Sequence, residues 1–127
     1  MTTNSGWTYH HVKVMHIHDA DTVQFEIDCG MGVFLRPRMR FRNINAPELH
    51  TDAGKIAKTR VEQLLLPYGR DPAKVRLHTF KMPQAGRTKT GSRGRYLCEV
   101  WYLGTDGLWH DLEEQLYQEG YARKYEP

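Results

Sequence analysis

The chain has 127 residues, 39% of them hydrophobic and 26% charged, with a formal net charge of +3 at pH 7. This length buries a core without disulfides or metal staples, and the composition excludes a disordered or fibrous chain. No stretch approaches the roughly 18 apolar residues of a membrane span, and no basic segment leads into an apolar run at the start. A soluble, cytoplasmic, monomeric protein with no membrane partner is therefore expected. Cys29 and Cys98 form neither a disulfide framework nor a zinc pattern, so two reduced thiols in or near the core are expected.

Residues 1–8 read as a tail and 9–127 as one domain, without repeats or linkers. Tyr9 to Met15 is strand-like, with Val12 and Val14 alternating against His11 and Lys13. His10, His11, His16 and His18 belong on the outer face of this first strand. His16-Ile17-His18-Asp19 looks like the HxHxD run of binuclear metallohydrolases but lacks the acid spacing and the downstream histidines. Thr22 to Asp28 alternates cleanly, with Val23, Phe25 and Ile27 on one face. Gly30 and Gly32 mark a turn. From Val33 to Asn43 the odd positions carry Val33, Leu35, Met39 and Phe41, while Arg36, Arg38, Arg40 and Arg42 share the other face.

Asp52 to Leu66 reads as a helix that Thr51 or Asp52 can cap, with Ala57, Val61, Leu64 and Leu65 as its apolar stripe. Pro67 is expected to end it. Val75 to Phe80 is a strand, Met82 to Gly94 a long polar loop, and Arg95 to Leu103 a strand. A short helix near Asp111 to Glu119 stops at Gly120. Trp7, Trp101 and Trp109 read as packing residues. The fold expected is α+β: an OB-type five-stranded β-barrel with a helix between strands three and four and a C-terminal helix.

Charge is segregated. No acid lies between Asp71 and Glu99, a span holding Lys74, Arg76, Lys81, Arg87, Lys89, Arg93 and Arg95, whereas Asp111, Glu113, Glu114 and Glu119 cluster late. Such a map favours a polyanionic partner, DNA or RNA.

Three segments carry candidate chemistry: His18 to Thr22, Arg40 to Glu48, and Gly94 to Leu97. A phosphodiester resists hydrolysis because its charge repels the nucleophile. A divalent cation and paired guanidiniums neutralise that charge, and a carboxylate activates water. Hard cations take oxygen ligands. Asp21, Asn45, the Ala46 carbonyl, Glu48, Arg40 and Arg95 offer these groups if the fold brings the segments together.

The same residues resemble the staphylococcal nuclease-like (thermonuclease) domain family. Four motifs carry the resemblance, in order, over residues 9 to 125: Asp19-Ala20-Asp21-Thr22; Arg40 with Asn45-Ala46-Pro47-Glu48; Gly94-Arg95-Tyr96-Leu97; and Glu119-Gly120-Tyr121-Ala122. The resemblance implies the OB-type barrel and a calcium-dependent nuclease. It makes Asp21 a metal ligand together with Asn45 and the Ala46 carbonyl, Glu48 the water-activating base, and Arg40 and Arg95 the phosphate clamps. Asp19 and Thr22 would support Asp21, and Arg38, Arg42, Lys89, Arg93, Tyr96 and Tyr125 would contact nucleic acid. Asn45 departs from the pattern, since the family commonly places a second carboxylate there. An amide brings no charge, so weaker metal binding and a shift in metal preference are expected, with calcium the first choice and magnesium or manganese the alternatives. Arg93 stands where a nucleotide-contacting tyrosine is often found.

The reading is a metal-dependent nuclease hydrolysing DNA or RNA. The alternative is a non-catalytic OB-fold nucleic-acid-binding module, for which Asn45 speaks. A protein-interaction domain is a third reading, in which the basic faces are incidental.

Overall fold

The computed structural model describes residues 6–69, 71–81 and 96–125. Its elements are β1 (Trp7–Tyr9), β2 (Val12–Asp19), β3 (Thr22–Asp28), β4 (Phe34–Leu35), β5 (Arg38–Phe41), β6 (Ile44–Asn45), α1 (Asp52–Gly69), β7 (Val75–Lys81), β8 (Tyr96–Leu103), β9 (Trp109–Asp111), α2 (Leu112–Gln118) and β10 (Arg123–Lys124). The architecture is α+β, a mostly sheet core with two helices.

The main sheet follows the path β1-β7-β8-β5-β3-β2, with β4 on β3 and β9 on β8, while β6 and β10 form a separate pair. All neighbours are antiparallel except β5 and β8, where Arg40 and Phe41 lie opposite Leu97 and Cys98 in parallel. The path keeps two ends, β1 and β2, and among the described residues the sheet is not closed into a barrel.

Alternation in β3 works as the sequence predicts, with Val23, Phe25 and Ile27 buried. The expected Val33–Asn43 strand is instead broken into β4 and β5. Pro37 stands at the break, where it has no N–H to offer a ladder but accepts through its carbonyl from the Phe25 amide at 3.1 Å. Only the second half follows the predicted faces. Met39 and Phe41 are buried, whereas Val33 and Leu35 are exposed.

Thr51, rather than Asp52, caps α1: its hydroxyl oxygen accepts from the Gly54 amide at 3.0 Å. Ala57, Val61, Leu64 and Leu65 face the core as expected. The helix does not stop before Pro67 but runs through it to Gly69. So close to the end, the proline forfeits one hydrogen bond, that to the Gln63 carbonyl. In α2, Asp111 caps the Glu114 amide at 3.1 Å and Gly120 turns the chain at φ +85°. The Arg60 guanidinium grips the Glu119 carboxylate at 2.7 and 2.9 Å and ties α1 to the end of α2.

Both cysteines are free, but only Cys98 is in the core; Cys29 is exposed. Trp7, expected to pack, is half exposed and tilted against Tyr96 at 6.3 Å. No described helix is long and apolar enough to cross a membrane.

Candidate active site

The turn between β2 and β3 is two residues long, Ala20 and Asp21, with Asp19 opposite Thr22. Asp19 closes it by accepting from the Asp21 amide at 3.2 Å. Asp21 is 9% exposed and reaches in two directions. Its carbonyl accepts from the Phe41 amide at 2.8 Å, and its Oδ2 accepts from the Ala46 amide at 2.9 Å. One acid thus holds both β5 and the residue that follows β6. The Thr22 hydroxyl donates to Oδ1 at 3.1 Å and fixes the carboxylate's orientation.

Arg40 comes from β5, on the face opposite the buried Met39 and Phe41. Its Nη1 lies 3.6 Å from Asp21 Oδ2, its Nη2 donates to Asn45 Oδ1, and its guanidinium sits 5.6 Å from the centre of the Tyr125 ring. Tyr125 arrives because β10 pairs with β6 and the Tyr125 amide donates to the Asn43 carbonyl at 2.8 Å.

Glu48 lies in the segment between β6 and α1. Its carboxylate is 80% exposed and 3.8 Å from His50 Nδ1, while its backbone is fixed. The Thr51 hydroxyl donates to the Glu48 carbonyl at 2.6 Å, and the Thr51 amide donates to the same oxygen at 3.0 Å. Gly54 passes directly beneath: a Cβ there would stand 2.0 Å from the Glu48 oxygen. The carboxylate is exposed while its backbone anchor is held.

These residues open on a cavity of about 760 Å³ lined by Asp19, Asp21, Asn45, Ala46, Glu48 and Lys55, among others. An adjoining cavity of about 520 Å³ shares Asn45 to Glu48 and adds Gly120 to Arg123. Burial raises the pKa of Asp19, and the neighbouring Asp21 carboxylate raises it further. Asp21, by contrast, has the Arg40 guanidinium 3.6 Å from its carboxylate. Among the described residues, no group of three His, Cys, Asp or Glu side chains converges as metal ligands. The donors at hand are all oxygen: the Asp21 carboxylate, the Asn45 amide and the Ala46 carbonyl. Their chemistry fits a hard divalent cation. Asn45 Oδ1 already accepts from Arg40, which leaves it one lone pair.

The structure thus gathers Asp19, Asp21, Asn45, Ala46 and Glu48 around one cavity, with Thr22 and Arg40 against Asp21 and Tyr125 beside Arg40. It separates others. Arg42 stacks over Phe80 at 4.0 Å and pairs with Glu99 at 3.6 Å, away from this group. Tyr96 lines a different, apolar cavity with Trp7 and Tyr9. Arg38 is exposed on the outer face of β5, opposite Gln24. Lys89, Arg93 and Arg95 lie outside the described residues.

Sequence reasoning missed the supports. Asn43 donates through its amide N–H to Glu113 Oε2 at 2.6 Å and through Nδ2 to Glu99 Oε2 at 2.9 Å, which secures the chain just before Asn45. Glu113 is 2% exposed, and burial is the main cause raising its pKa to about 8. The signal was available in the sequence: Glu113 follows Leu112 on a helix whose core stripe is Leu112 and Leu116, which places it at the edge of that stripe. Gly54 inside a helix was the other signal, since an interior glycine marks a close backbone approach.

A scan against protein-family models and a search of curated proteins both return no match.

Proposed function

We propose that the protein is a metal-dependent nuclease that hydrolyses phosphodiester bonds of DNA or RNA. The observation that carries the reading is the Asp21 carboxylate, bonded to Ala46 and beside Arg40, so that separate segments meet at one cavity with Glu48. Asp21, Asn45 Oδ1 and the Ala46 carbonyl would hold the cation. When bound, it neutralises phosphate oxygens and lowers the pKa of a coordinated water. Arg40 forks toward phosphate oxygens where charge builds up, with Arg95 as its partner in the sequence motif. Glu48, on a held backbone with an exposed carboxylate, accepts the proton of the attacking water.

The same reading takes the sheet as a partly open OB-type barrel. Support comes from the path β2-β3-β5-β8-β7, a three-stranded meander joined through a parallel pair to an antiparallel one. Cleavage of a labelled oligonucleotide with calcium, magnesium or manganese, abolished by chelator, is the expected result.

One observation favours a second reading, a non-catalytic nucleic-acid-binding module: Asn45 brings no charge and its oxygen is engaged by Arg40. Chelator-insensitive binding without cleavage under any of the three ions would select it.

A further inference from the structure

Away from the cavity, the outer face of the sheet carries a second grouping. His16 on β2 lies opposite Gln24 on β3, and Gln24 lies opposite Arg38 on β5, so these three residues form one row across three strands. An irregularity in β2 between Val14 and His16 leaves both Met15 and His16 outside. His18 follows two positions on, its ring edge-on to that of His16 with centroids 4.3 Å apart. From α1, Lys58 adds its charge: burial lowers the pKa of His18, and Arg38, His16 and Lys58 lower it further.

This grouping lacks counter-charge. Among the described residues no ion pair takes Arg38, Lys55 or Lys58, and Glu62, one turn beyond Lys58, does not pair with it. Of the acids at outward positions of β3, Glu26 is already held by Arg36 at 2.9 Å and Asp28 accepts from the Gly30 amide at 2.9 Å. Clustered cations without carboxylate partners repel one another. A chain of phosphates satisfies them: arginine forks onto phosphate oxygens, lysine acts as a point charge, and a neutral imidazole donates one N–H. Strands β2 and β5 flank β3 about 10 Å apart, so their donors reach separate phosphates.

The row also leads to the cavity. Arg40 is the next outward residue on β5 after Arg38 and holds Asn45. Lys55, one helical turn before Lys58, lines the cavity itself. We propose that Arg38, His16, His18 and Lys58 form a track that holds the phosphate backbone of a nucleic acid strand running into the Asp21–Glu48 cavity. The inference rests on the nuclease reading and adds to it the path of the strand.

The test measures binding of a fluorescein-labelled 20-nucleotide oligothymidine by anisotropy, in chelator so that nothing is cleaved, across a salt series. Single variants Arg38→Gln and Lys58→Gln are each expected to lower the slope of log K against log salt by about 0.7, the value for one single-strand phosphate contact. His16→Gln/His18→Gln should weaken binding several-fold at fixed salt. Arg76→Gln, which removes a charge stacked over Trp109 on the β7 side, should leave the slope unchanged. Equal losses in Arg76→Gln, Arg38→Gln and Lys58→Gln would reduce the effect to net charge and overturn the track. Unchanged slopes in Arg38→Gln and Lys58→Gln, with the unaltered protein binding, would overturn the track and leave the nuclease reading standing. If the unaltered protein binds no strand in chelator yet cleaves one with a divalent ion, the track falls and the nuclease reading stands; if it neither binds nor cleaves, both fall.

Discussion

The Asp21 carboxylate and the Ala46 amide are joined at 2.9 Å across 25 positions of sequence. This bond converts two loops into one site, because Asp21 simultaneously fixes β5 through its carbonyl. Asp21→Ala should cost about 1–3 kcal/mol, since the Ala46 N–H loses a charged acceptor. Asp21→Asn keeps an acceptor there and should recover most of that stability while still losing activity at limiting metal. Urea denaturation read beside metal-dependent cleavage separates the structural from the chemical role. Equal loss of stability in both variants would mean that charge, not the hydrogen bond, holds Ala46.

Glu48 and Arg40 are asked for transition-state work. Glu48→Gln, Arg40→Ala and Arg95→Ala should each lower turnover by roughly 100-fold or more. Glu48→Gln should leave the melting temperature unmoved, because its carboxylate is 80% exposed. Arg40→Ala should cost some stability through its contacts with Asp21 and Asn45. Wild-type rates in all three would end the nuclease reading.

Gly54→Ala sets two effects against each other. Alanine gains up to about 1 kcal/mol over glycine in a helix, the full value in its interior and less in the first turn where Gly54 lies. Here, however, the new Cβ would stand 2.0 Å from the Glu48 carbonyl oxygen, a backbone atom that cannot swing away. The clash should win, with a net loss of about 1–3 kcal/mol as for other overpacked sites, and displaced Glu48 should cut turnover as well. Thermal melts and steady-state rates of the same variant check both parts. A stabilised, fully active protein would show that the Pro47–Leu49 segment is free to shift.

Asn45→Asp restores a charge at the departing position. Two unit charges about 4 Å apart interact by roughly 4 kcal/mol at an effective dielectric of 20, and a divalent ion doubles it, much of which desolvation offsets. The new carboxylate would also pair with Arg40, which reduces the gain further. Calcium affinity by calorimetry should still tighten by about tenfold, roughly 1.4 kcal/mol. No change for any divalent ion would remove Asn45 from the coordination shell.

Glu113 makes stability depend on pH. Its ordinary pKa of 4.5 is raised to about 8 in the folded protein, first by burial and then by Asp111 and Glu99. Between these values the folded state binds the proton and the unfolded state does not. The contribution is therefore full below about 4.5 and falls as pH rises, to be lost by about 8. Glu113→Gln, neutral and of similar shape, should flatten that slope and be the more stable form at pH 8, as urea midpoints across pH 5–9 would read. A slope unchanged by the substitution would assign it to other groups.

The elements that were legible in sequence are those with a strict period. Val23, Phe25 and Ile27 announce β3 because side chains alternate across a strand, and Ala57, Val61, Leu64 and Leu65 announce α1 because they fall on one helical face. The candidate residues of the first two segments, Asp19 to Thr22 and Arg40 to Glu48, were also legible, since each motif specifies its own turn. Breaks were harder. Pro37 splits a strand whose alternation continues across it, and Pro67 sits inside a helix it was expected to end.

What the sequence determined by itself was therefore local: which stretches are strands or helices, and which short motifs carry acids, amides and guanidiniums. What the tertiary structure alone decided was who meets whom. It turned Arg42 toward Phe80 and Glu99 while Arg40, two positions earlier, was turned to Asp21 and Asn45. It also buried Glu113 against Asn43, 70 positions away, and, among the described residues, left the sheet path open between β1 and β2. Periodicity is a property of neighbours along the chain, whereas these outcomes depend on packing and hydrogen bonds between segments far apart in sequence, for which no local pattern exists.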